Sequence, residues 1–207
     1  RVAEDYLIRL EDEYPDSRHR SYAYYARAQL LIQKADFEDA RWHLARFRTE
    51  SPLHHLATDV ALDYAHTLTM TEKFDEAQTV LEELLTLRSA KGRPHATALL
   101  ALSRNAEAAG NVKRAIPYAQ RVYNVYRAYP DLAAQAYWMS ALQFESIEDL
   151  VAAYKTLDEM LSSERIAKLP IAKEAAVKRE ALFELLPEGA LEEASTETAE
   201  VSQEVAL

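Results

Sequence analysis

Asp36-Phe37-Glu38-Asp39-Ala40 is the stretch on which the fold is decided, because its pattern returns three times along the chain. It recurs as Lys73-Phe74-Asp75-Glu76-Ala77, as Asn111-Val112-Lys113-Arg114-Ala115 and as Asp149-Leu150-Val151-Ala152-Ala153. Ala40, Ala77, Ala115 and Ala153 are spaced by 37, 38 and 38 residues, and a step of 37 back from Ala40 reaches Ala3. Each of the four alanines has a small partner twelve residues earlier: Ala28, Ala65, Ser103 and Ala141. Small residues in such pairs let two antiparallel helices joined by a short turn approach closely. Larger residues fill the rest of the contact, Tyr24, Leu31, Phe37 and Leu44 in one unit and Leu68, Phe74, Leu81 and Leu84 in the next. The intervening turns are short and polar, Gly110-Asn111 being the most explicit. The period predicts a series of helix hairpins.

Composition agrees. The chain has 207 residues, 49% hydrophobic and 28% charged, with three glycines. Turn-rich β architectures need many residues that tolerate positive φ, so an all-α fold is favoured. The net charge is −10, but Glu188 to Leu207 holds six Glu and no Lys or Arg. The body that remains is weakly acidic, which argues against nucleic acid as a partner. The clusters Arg41/Arg46/Arg48 and Arg88/Lys91/Arg93 read as solvated helix faces and loops. With no cysteine, disulfide and thiolate chemistry are excluded. No apolar run has the length of a membrane span. Arg1 enters helical periodicity at once, as in a mature form or a fragment.

The small residue at the eighth place of each unit, the aromatic or aliphatic residue at the seventeenth and the alanine at the twentieth resemble the tetratricopeptide repeat family. Pro15 and Pro52 stand at that family's thirty-second place. The resemblance covers roughly residues 1 to 165, with a period about three longer than the family's usual 34. It implies a right-handed α-solenoid of antiparallel helix pairs that binds a protein or peptide partner, with no cofactor and no catalysis. Glu13-Tyr14-Pro15-Asp16-Ser17 and Tyr129-Pro130-Asp131 are similar to loops of bacterial cell-envelope members, which leans the compartment toward the periplasm. The expected organisation is a second helix of a truncated unit over 1–20, four helix pairs over 21–169, a capping helix over 170–187 and an acidic tail over 188–207. The cap has Ile171, Ala175, Leu182 and Leu186 on one stripe. The tail has too little apolar surface to repay its ordering and is expected to be disordered.

No Ser-His-Asp set, Gly-rich phosphate loop or His-Glu-x-x-His pattern occurs. Asp59, Asp63 and His66 share a helix face, as a metal site or acid–base pair would require, but a solvated or peptide-facing stripe is the better reading. His54-His55 reads as an ordinary loop. Tyr118, Tyr123, Tyr126 and Tyr129 read as packing along one helix. In the family the first helices of the units line a concave groove. That places Tyr22, Tyr25, Gln29, Asp59, Leu62, Asp63, His66, Thr97, Leu100, Arg104, Gln135, Trp138 and Leu142 on it. Some relatives grip a C-terminal carboxylate there with Lys, Asn and Arg. The corresponding places here are Tyr25, Gln29, Asp63, Thr97 and Ala101, so no cationic clamp exists. An aromatic and acidic groove suits a peptide with apolar anchors and a Lys or Arg. The alternative role is a recruiting or regulatory segment of a larger enzyme or envelope assembly whose catalytic part lies elsewhere.

Overall fold

The computed structural model describes the backbone over residues 2–191 and side chains from Glu4 onward. Among the described residues there are ten α-helices, one 3-10 turn and no strand. They are α1 (Val2–Glu13), α2 (Arg20–Gln33), α3 (Phe37–Glu50), α4 (Ala57–Met70), α5 (Phe74–Thr86), α6 (Arg93–Ala108), α7 (Val112–Val125), α8 (Pro130–Ser146), α9 (Leu150–Ser162) and α10 (Ile171–Leu185). The chain divides into two compact units, 1–111 and 112–207. The acidic tail from residue 192 lies outside the described residues.

In the first unit each helix packs on the next, and α6 rests on both α5 and α4. The small residues of the period are fully buried, Ala28, Ala40, Ala65, Ala77 and Ser103 all at 0% exposure, as close helix crossings require. Tyr24, Leu44, Leu68, Leu81 and Leu84 fill the space around them. In the second unit α7 packs on α8, α8 on α9, and α10 on both α9 and α8. Ala115, Ala141 and Ala153 are buried there, with Leu157, Met160 and Tyr123 beside them. On α10 the buried stripe is Ala172, Ala175 and Leu182.

The turns repeat as faithfully as the helices. Ala35, Glu72, Gly110 and Glu148 all have positive φ, 59°, 59°, 78° and 64°, at the same place in each turn. The following amide reaches back to close the helix end: Asp36 N–H to the Leu31 carbonyl at 2.9 Å and Lys73 N–H to Leu68 at 2.8 Å. Asn111 does the same to Ala106 at 2.8 Å and Asp149 to Phe144 at 3.0 Å. This is the left-handed helix-ending turn that satisfies otherwise orphaned carbonyls. Asp36 and Asp149 then cap the next helix, accepting from the amides of Asp39 and Ala152. α7 ends at Val125, so Tyr126 and Tyr129 fall in the turn before α8 and not on the tyrosine-bearing helix expected for them.

Candidate functional site

First helices α2, α4 and α6 bring polar groups together within the first unit. Tyr25 and Gln29 stand one turn apart on α2 and face Asp63 on α4. The Tyr25 hydroxyl donates to Asp63 Oδ2 at 3.0 Å, and the Gln29 side-chain amide donates to the same oxygen. Burial pushes the Asp63 carboxyl above its usual range, against the two donors that pull it down. Burial, and then the Asp63 carboxylate, push the Tyr25 hydroxyl well above its ordinary value. Tyr25 therefore stays a neutral donor at physiological pH.

Around this network Asp59 and His66 are exposed on α4 and Leu62 is half-buried. His66 lies edge-on to the Phe37 ring, with centroids 5.6 Å apart. Loss of water around the ring holds the His66 imidazole below its usual range, against the Asp63 charge that raises it, and Arg104 on α6 lowers it further. Among the described residues no group of three His, Cys, Asp or Glu could hold a metal ion.

Other residues expected on the groove fall differently. Tyr22 is 41% exposed but turns toward the loop before α4, its ring edge-on to His54 at 4.8 Å. Leu100 is 1% exposed and belongs to the core. The reason is that α6 is covered by two helices, so the face through Ala96, Leu100 and Ser103 is turned inward. Thr97 is half-buried, its hydroxyl bonded to the Arg93 carbonyl at 3.1 Å. In the second unit Gln135 is exposed, Leu142 is 36% exposed and Trp138 is half-buried on α8. Trp138 thus keeps an accessible face.

A second concavity was not anticipated from sequence. A cleft of about 800 Å³ opens between α3, the loop after it, α4 and the end of α5. Its lining includes Arg48, His54, His55, Ala61, Tyr64 and Leu87. The Arg48 guanidinium lies 4.7 Å from the centre of the Tyr64 ring, and His54 packs edge-on to Phe47 at 5.2 Å. The one available signal was the pair His54-His55 following Pro52-Leu53, an unusually apolar and aromatic loop for a connector.

Comparison with solved structures decides the fold. Over 78% of this chain, a tetratricopeptide repeat protein from Parabacteroides merdae superposes with a TM-score of 0.58 at 14% identity. The fold is the tetratricopeptide-repeat fold. MamA protein superposes with a TM-score of 0.54 at 17% identity, covering 81% of this chain and 88% of its own. The MamA RS-1 ArsTM double mutant gives a TM-score of 0.54 at 18% identity, covering 80% and 93%. The chain spans 59% of the length of the Parabacteroides protein. No family model matches the sequence, and no curated protein matches it.

Proposed function

We propose that this chain is a protein-interaction scaffold that holds a partner peptide against the first-helix face of its repeats, and that it binds without catalysing. The tetratricopeptide-repeat fold supports that reading, and the Tyr25–Gln29–Asp63 network carries it. A hydrogen-bonded row of side chains on neighbouring first helices is rigid before a partner arrives, which lowers the ordering cost of binding. Asp63 is already engaged by two donors, so its part is to fix Tyr25 and Gln29. The accessible carboxylate for a partner's Lys or Arg is Asp59, one turn earlier on α4 and exposed. Tyr25 supplies aromatic contact area beside it; in the second unit Trp138 does so, and Leu142 adds an aliphatic contact. A membrane span is not part of this reading, since no described helix is long and apolar enough to cross one. The Tyr-Pro-Asp strings at Tyr14–Asp16, in a loop, and at Tyr129–Asp131, where α8 begins, support a place in a bacterial envelope assembly.

Affinity capture with the chain as bait tests the proposal, using wild type beside Tyr25→Ala, Asp59→Ala and Trp138→Ala. Partners retained by wild type and lost from these folded variants support it. Equal recovery by wild type and all three variants would overturn the first-helix face as the binding surface.

A further inference from the structure

We infer that the open face of α10 is the seat of the chain's own C-terminal segment, residues 191–207, docked antiparallel to it as the second helix of a fifth pair. The turn after α10 carries the geometry of the other four. At Ala35, Glu72, Gly110 and Glu148 a positive φ is followed two residues later by the start of a second helix and five residues later by the crossing alanine. Gly189 has φ 84°, and the chain re-enters helix at Ala190 and Leu191. Leu191 and Ala194 stand two and five residues past that glycine. Pro187 lengthens this turn, so Gly189 lies four residues past the end of α10 where the others lie two past theirs. The sequence beyond keeps the spacing of a second helix. Three, seven and ten residues past its start, α3 buries Ala40, Leu44 and Phe47, and α9 buries Ala153, Leu157 and Met160. The matching places here are Ala194, Thr198 and Val201. Residues 191–207 number 17, and the second helices α3, α5, α7 and α9 take 13 or 14.

The receiving face is found by counting back from the last residue of each first helix. Ten places back stand Ala23, Val60, Ala98, Ala136 and, on α10, Ala175, all fully buried, so α10 keeps the common phase against the helices before it. Five places back, Ala28, Ala65, Ser103 and Ala141 are buried under their own second helix, whereas α10 has the exposed Glu180. Two places back, Leu68 and Ala106 are buried, whereas Phe183 is 55% exposed. The side of α10 that lies open among the described residues is the side on which every earlier first helix carries its partner. Alone, the acidic segment has too little apolar surface to repay its ordering; Phe183 and the exposed Val177 and Leu185 supply the area it lacks. Charge agrees with this seat. Lys173, Ala176, Glu180 and Phe183 follow at helical spacing along one stripe of α10. With Ala194 opposite Glu180, an antiparallel pair brings Glu200 and Glu204 level with the exposed Lys173. Glu180 departs from the small residue found at this place in the other pairs, which widens the crossing and makes the fifth pair the loosest. The seat shares no residue with the Tyr25–Gln29–Asp63 network.

Because the chain has no cysteine, an introduced pair supplies its only thiols. In the full chain, Glu180→Cys with Ala194→Cys, and Ala176→Cys with Thr198→Cys, put two thiols at facing places of the pair. Glu180→Cys with Thr196→Cys turns the second thiol outward, since position 196 lies on the opposite side of a helix from 194. Oxidised glutathione is added, and closure is followed by mass spectrometry of the intact and the digested chain. Each facing pair should close within one chain at least about tenfold faster than the outward pair, because a disulfide needs its Cα atoms within about 7 Å. Val201→Glu, added to either facing pair, should slow closure about tenfold by placing a charge in the buried stripe. In the cysteine-free chain Thr198→Leu should raise the melting temperature, as a leucine fills the one polar place of that stripe. Facing pairs that close no faster than the outward pair would overturn the inference. So would disulfides that join two chains in place of one, or closure of both facing pairs at an unchanged rate in Val201→Glu.

Discussion

Arg27→Met is expected to cost the first unit about 3 kcal/mol at pH 7, and the reason is a carboxylate it would abandon. Glu11 on α1 has a side chain only 5% exposed, and its Oε2 accepts from Arg27 Nη1 at 2.6 Å. Its other oxygen, Oε1, has no hydrogen-bond partner. Burial already pushes the Glu11 carboxyl up, and Arg27 is what pulls it back. Removing one partner of a buried pair costs about 3–5 kcal/mol, because the remaining charge is uncompensated. Arg27 keeps 24% of its side chain exposed, so water can partly replace it and the lower end applies. The sign with pH follows. A carboxyl whose folded pKa is raised penalises the fold as pH rises above its unfolded value, so the cost of Arg27→Met should shrink as pH falls into the acid range. The double variant Glu11→Leu, Arg27→Met removes both charges and should recover most of the loss. Urea unfolding followed by far-ultraviolet circular dichroism measures all three. A loss below about 0.5 kcal/mol in Arg27→Met, or no recovery in the double variant, would refute the pairing as the clamp that holds α1.

Ala40→Leu and Ala77→Leu should each destabilise by about 1–3 kcal/mol through overpacking of a closed helix crossing, and unchanged unfolding midpoints in both would misplace the crossing. Glu72→Gly and Glu148→Gly should stabilise by about 0.5–1 kcal/mol, since both exposed residues hold positive φ that glycine adopts without strain; thermal unfolding reads the rise, and a fall would contradict the turn geometry. Burial, with the Arg27 charge as a second cause, lowers the His43 pKa to about 4. The unfolded chain then takes up the proton first, so His43 contributes stability above about pH 6.5 that is lost as pH falls toward 4. Wild type minus His43→Gln should show that slope between these limits, and parallel pH profiles would refute it.

Steric and turn chemistry was legible in the sequence because it is local and repeats. The twelve-residue spacing of Ala28 with Ala40 and of Ala65 with Ala77 survives translation into helices unchanged, since each pair is bound by one short turn. Contacts between neighbouring helix pairs were not. Asp63 reads from sequence as a free acid on a helix face, but its partners Tyr25 and Gln29 lie 38 and 34 residues away. Leu100 shows the same limit, because phase alone could not reveal that α6 is covered on two sides. The cleft lined by Ala61 was hidden for a further reason, since an absent side chain has no signal of its own.

The central claim is that partners are held on the first-helix face, and site-specific photo-crosslinking tests it most directly. The photoreactive residue p-benzoylphenylalanine would replace Asp59, His66 or Leu142 on first helices, and Trp42 or Gln78 on second helices, in the native host. Crosslinked partner adducts are expected from the positions on α4 and α8. Adducts confined to positions 42 and 78 would contradict the claim.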